Sequence, residues 1–169
     1  MGLDMFLIGL KSKRDPGDPV GSNHGIYEEC CYWRKANAIH NWFSKRYIRE
    51  GDPWGYYSVP VHELEGLLVL CKHLKHIKES CMPEAYLPES SLFYKFEDEE
   101  LKQITDFGIR SLDVGDYIAL SILPPNNVGC FFGSGAVDED YWDHIDSTIE
   151  QLEEAFSKDY DEYIYYASW

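Results

Sequence analysis

The stretch CYWRKANAIHNWF, Cys31 to Phe43, holds a guanidinium, an ammonium, two carboxamides, an imidazole and two indoles within thirteen residues. Arg34 offers a planar fork that matches phosphate or carboxylate through two parallel bonds. Asn37 and Asn41 each carry a donor and an acceptor, the pair needed to read the edge of a heterocycle. Trp33 and Trp42 can stack on a ring. Read as a helix from about Trp33 to Ile48, the segment has a core stripe of Ala36, Ile39, Phe43 and Tyr47. A second stripe, spaced three and four apart, holds Arg34, Asn37, Asn41 and Ser44, with His40 at the border. Arg34 and Lys35 then fall near the helix N-terminus, where amides attract anions. With Trp169 as a further stacking group, the candidate ligand-binding set is Trp33, Arg34, Lys35, Asn37, His40, Asn41 and Trp169. It suits a small anionic, nucleotide-like ligand and calls for no catalytic residue, metal or cofactor. The competing reading is an exposed polar helix face with two packed tryptophans.

Other groupings are weaker. Cys71, His73, His76 and Cys81 have zinc-ligand types, but their spacing fits no standard finger and three lysines interleave them. Cys30 and Cys31 are vicinal thiols without the Cys-x-x-Cys pattern of redox proteins, and idle or buried thiols are the expectation. A nucleophile pairing Cys31 or Cys130 with His40 has no specific signal behind it. Gly133, Ser134 and Gly135 follow a strand-like run but lack the lysine of a phosphate-binding loop. The acids at 138–140 already answer the dipole of the helix beyond, so a strand-ending turn is expected.

The chain has 169 residues and a net charge of −15, and 15% of its residues are aromatic. That length suffices for one domain with its own core. Residues 1–96 balance 12 acids with 12 bases, whereas residues 97–169 carry 18 acids and 3 bases. So acidic a surface repels phosphate backbones, which argues against direct nucleic-acid binding. It leaves two uses for the acidic half, a solvated face or an address for a basic partner. MGLDMFLIGL lacks the basic region and long apolar run of a signal peptide. No apolar run reaches membrane-spanning length. With an odd number of cysteines, these features imply reduced thiols in a cytoplasm.

The positioning elements follow from periodicity. Leu3–Gly9 reads as a first strand, 10–25 as a loop, and Tyr56–Val59 as a short strand. Pro60 suits the first turn of a second helix whose core stripe is Val61, Leu64, Leu67, Leu68, Cys71 and Leu74, fading near Glu79. Residues 80–96 read as irregular, EDEELKQITDFG as a short acidic helix, DYIALSILPP as a strand, and NVGCFFGSG as a strand and turn. A third helix spans about Asp138 to Lys158, with Tyr141, Ile145, Thr148, Leu152, Ala155 and Phe156 inward, and DEYIYYASW closes as a strand. The expected fold is a single α+β domain over 1–169, with about three main helices on a small antiparallel or mixed sheet.

The pieces MGLDMFL, YWRKANAIHNWF, FFGS, DYWDHIDSTIEQLEE and YIYYASW together resemble a family of uncharacterised proteins of tailed bacteriophages and prophages. The resemblance covers roughly half the chain, and it marks residues 82–123 as a family-variable insertion. It implies an accessory protein of the bacterial host cytoplasm and transfers no reaction. The leading expectation is sequestration of a nucleotide-like ligand, such as a host-defence signal, without turnover. The alternatives are an acidic inhibitor or nucleic-acid mimic that captures a basic host protein, and a hydrolase or transferase using His40. Membrane association is not expected, and an oligomer is compatible with the sequence.

Overall fold

The computed structural model describes residues 2–11, 25–49, 52–80, 94–97, 100–105, 108–111, 114–125, 132–133 and 135–169. Strand β1 (Asp4–Leu10) alternates as a strand should: Met5 and Leu7 are fully buried on one face, while Phe6 and Ile8 occupy the other. It lies between β2 (Tyr27–Arg34) and β7 (Glu162–Ser168), and β3 (Tyr57–Val59) extends the sheet beyond β7, in the order β2-β1-β7-β3. Every pairing is antiparallel, with Met5 opposite both Trp33 and Ala167, and Leu7 opposite both Cys31 and Tyr165.

Helices cover the Met5–Leu7 face. The core joins α1 (Asn37–Arg46) and α4 (Glu139–Ser157) to this sheet. Phe43 of α1 stacks on Tyr165 with centroids 3.9 Å apart, and Trp33 donates its indole N–H to Thr148 of α4 at 2.9 Å. Burying side chains of this size supplies most of the driving force for the two layers to close. On the other face Tyr32, Phe6, Tyr166 and Tyr56 form an unbroken row of ring contacts across the sheet.

Helix α2 (Val61–Ser80) buries Leu64, Leu67, Cys71, Leu74 and Ile77, so its inward stripe starts one turn later than expected; Val61 is exposed. It packs against α4 and against α3 (Val114–Ile122). Asp138 caps α4, its carboxylate accepting from the Tyr141 N–H at 3.1 Å. The architecture is α+β, with four helices among the described residues and an antiparallel main sheet.

Four expectations are corrected. The segment read as an acidic helix contains β5 (Glu100–Thr105), which pairs with β4 (Tyr94–Glu97) and β6 (Gly108–Ser111) in a separate antiparallel sheet. Pairing with its neighbours decides its conformation over local propensity. The segment read as a strand, DYIALSILPP, is largely α3; Asp116, Ala119 and Leu123 are buried at helical spacing, and a short apolar run does not distinguish the two states. The first helix begins at Asn37, not Trp33, because Trp33 and Arg34 close β2. Of the stretch 80–96 expected to be irregular, Tyr94–Phe96 belong instead to β4; residues 81–93, residues 127–131 and 134 of the strand and turn expected at 127–135, and most of the 10–25 loop lie outside the described residues.

Candidate functional site

The change from strand to helix is made at Lys35, whose φ of 56° places a non-glycine residue in the left-handed region. Lys35 donates its N–H to the Leu3 carbonyl and accepts from the Asn37 N–H, both at 2.8 Å, which fixes the turn. Gly133 packs closely against it. A Cβ at Gly133 would lie 2.6 Å from the Lys35 carbonyl oxygen, and its φ of 89° also favours glycine. Helix α1 then starts without a side-chain cap and without an acid in its first turn, leaving its positive end uncompensated by its own side chains.

This turn disperses the sequence-derived stripe. Trp33 is buried against α4 and is a core residue. Arg34 is exposed, paired in register with Asp4 on the sheet face opposite Trp33, and so does not stack above Asn37 and Asn41. Lys35 is partly buried in the turn. Asn37, His40 and Asn41 remain together on α1, but they face inward and all are at most 3% exposed. An exposed amphipathic face is therefore not what this helix presents, since every residue from Asn37 to Phe43 is buried.

His40 is the centre of an aromatic group. Its Nδ1 lies 2.9 Å from the Tyr165 hydroxyl, and its ring meets Trp169 edge-on at 5.4 Å and Phe132 at 6.0 Å. Phe132 and Trp169 also touch, and Trp169 continues to the exposed Trp54 at 6.0 Å. Burial lowers the His40 pKa to about 4 and raises that of Tyr165, so both are neutral near pH 7. His40 offers this group a neutral hydrogen-bonding ring and no positive charge.

Asn41 donates through Nδ2 to the Pro124 carbonyl at 2.7 Å, while its buried Oδ1 has no hydrogen-bond partner among the described residues. A buried carbonyl oxygen left in this state is costly. Sequence reasoning reached Asn37, His40, Asn41 and Trp169 but missed Tyr165, Phe132, Trp54 and Pro124. Phe132 lies in the FFGS piece and Tyr165 in the YIYYASW piece already singled out; Trp54 and Pro124 carry no local signal.

The remaining groupings separate in space. Cys71 is fully buried and its thiol is pushed up to about 12 by burial, whereas His73 and His76 are exposed on α2 and Cys81 lies outside the described residues. Several carboxylates of the acidic half are engaged within the fold: Asp146 with Lys75 at 2.7 Å, Glu153 with Lys72 at 2.5 Å, and buried Asp116 with Lys78 at 3.2 Å. Among the described residues no helix is long and apolar enough to cross a membrane. No protein-family model, curated protein or solved structure matches the chain.

Proposed function

We propose that the protein binds a small planar, anionic ligand of the nucleotide type and does not turn it over. The observation that carries this reading is the unpartnered Oδ1 of buried Asn41, on the same helix as a neutral histidine enclosed by Phe132 and Trp169. A base amino group satisfies an orphan carbonyl oxygen, and aromatic side chains stack on its ring. The uncapped start of α1, with Lys35 beside it, supplies the positive end for a phosphate. Arg34, on the other face of the sheet, takes no part.

Binding fits this chemistry better than catalysis. None of the hydrogen bonds among the described residues joins His40 to a carboxylate or thiol that could activate a nucleophile; its partner is a phenol. With the resemblance to phage accessory proteins, sequestration of a nucleotide signal of host defence is the corresponding biological use. The test is a thermal-shift screen with mono-, di- and cyclic nucleotides, together with mass spectrometry of small molecules released on denaturation. A nucleotide should raise Tm in the wild type and in Arg34→Ala, but not in Asn41→Leu or Trp169→Ala. No stabilisation by any nucleotide and no released small molecule would sink the reading.

A further inference from the structure

The vicinal cysteines are placed by an irregularity in β2. Leu7 is opposite Cys31 and Ile8 is opposite Glu29, so Cys30 is an extra residue bulged out of the ladder. Successive side chains of a regular strand point to opposite faces, which would hold two adjacent thiols apart. Here Cys31 belongs to the buried core and Cys30 packs against that same core. The Cys30 thiol lies 3.2 Å from the carbonyl oxygen of Leu7, the residue paired with Cys31. The bulge thus turns two neighbouring thiols towards the same core, close enough that each biases the other: Cys31 favours ionisation of Cys30, while Cys30 and burial hold the Cys31 thiol protonated.

We propose that Cys30 and Cys31 form a two-sulfur site for a trivalent, thiophilic arsenic centre of the organoarsenic(III) oxide class. Two features select this ligand. No group of three or more histidine, cysteine or acidic side chains suited to a metal occurs among the described residues, so a tetrahedral zinc or iron–sulfur site lacks its ligands among them. An arsenic carrying one organic group needs only two sulfurs. Both cysteines are free thiols, so their sulfurs lie well beyond the ~2.05 Å of a disulfide, and a bridging atom closes that gap without drawing them together.

The chemistry balances without an oxidant. Two S–H bonds break and two As–S bonds form. The oxide oxygen leaves as water with both thiol protons, and arsenic stays trivalent. Cys30 is only partly buried and its thiolate is the favoured one, so it attacks first; Cys31 closes the ring. Lys158, held by Glu28 at 2.7 Å and Glu154 at 3.2 Å, contributes positive charge near the Cys30 thiolate.

The test is titration of the native protein with phenylarsine oxide, read by intact mass. One adduct per chain is expected, formed with loss of water, removed by 2,3-dimercaptopropanol and resistant to excess 2-mercaptoethanol. Cys30→Ser and Cys31→Ser should each abolish it, while the triple variant Cys71→Ser/Cys81→Ser/Cys130→Ser should retain it. An adduct that survives either single serine variant, disappears in the triple variant, or forms only in denaturant overturns the proposal. Should the serine variants unfold, alkylation mapping of the wild type decides. Phenylarsine oxide must protect Cys30 and Cys31 together, and protection at any other pair refutes the assignment.

Discussion

The ring nitrogen Nδ1 of His40 and the hydroxyl of Tyr165 meet 2.9 Å apart inside the core, joining α1 to β7 across 125 positions of sequence. Both groups are almost fully enclosed, so neither finds water if the other is removed. Tyr165→Phe keeps the ring that stacks on Phe43 and deletes only the hydroxyl. It should cost about 1–3 kcal/mol, the penalty for leaving one buried polar group unpaired. Urea unfolding should show a lower midpoint with an unchanged slope.

The same enclosure makes stability depend on pH. His40 titrates near 4 in the folded chain and near 6.5 unfolded, so between these values the unfolded state binds more protons. Stability should therefore be fully present above about pH 6.5 and fall as the pH drops towards 4, with a contribution on the order of 3 kcal/mol. His144 is shifted in the same direction, chiefly by burial, and adds to the slope. Replacing His40 with Gln should flatten the stability profile between pH 6.5 and 4; an unchanged slope would mean that His40 is accessible to water.

Asp116 joins three helices. Fully buried on α3, its Oδ1 accepts from Lys78 of α2 at 3.2 Å and from the Trp142 indole of α4 at 3.0 Å. Lys78 also sits over the Trp142 ring. Hydrogen bonds to a charged group contribute more than neutral ones, about 1.5–3 kcal/mol each. Asp116→Ala should lower stability by about 2–4 kcal/mol, more than an exposed ion pair such as Lys72–Glu153, whose loss should cost less than about 1 kcal/mol. Chemical denaturation of the two single variants gives the comparison.

Strand β1 and the helix capped by Asp138 were legible because each buries one face at a clean period; β7 was legible from its run of tyrosine and isoleucine, since it also buries Ile164 on the face opposite Tyr163 and Tyr165. The site was legible only in part. Asn37, His40 and Asn41 share the helix that spacing predicted, but the stripe they form turns inward, and Trp33 and Arg34 belong to β2. The left-handed turn at Lys35 separates them, and lysine at such a position gives no signal in a sequence. Strand alternation at Cys31 and Trp33 is too short to outweigh the helical pattern that follows. Tyr165 and Pro124 join α1, and Trp54 joins Trp169, through contacts distant in sequence, which a period does not encode. The Cys30 bulge is equally silent, because register belongs to the pairing of β1 with β2 and to neither strand alone.

Asn41 separates folding from function. Its Oδ1 is buried without a partner among the described residues, so an apolar side chain of similar size should relieve that cost while giving up the bond from Nδ2 to Pro124. These two effects oppose each other at about 1 kcal/mol each, so Asn41→Leu should unfold within about 1 kcal/mol of the wild type. A residue retained for packing alone would behave this way in every assay. A residue retained for a ligand behaves differently once ligand is present, since binding sites are commonly kept at some expense to stability. The nucleotide that raises the wild-type Tm should leave that of Asn41→Leu unmoved, while Asn41→Asp, which keeps the acceptor, should retain part of the shift. If Asn41→Leu is stabilised by nucleotide as fully as the wild type, the amide has no part in recognition.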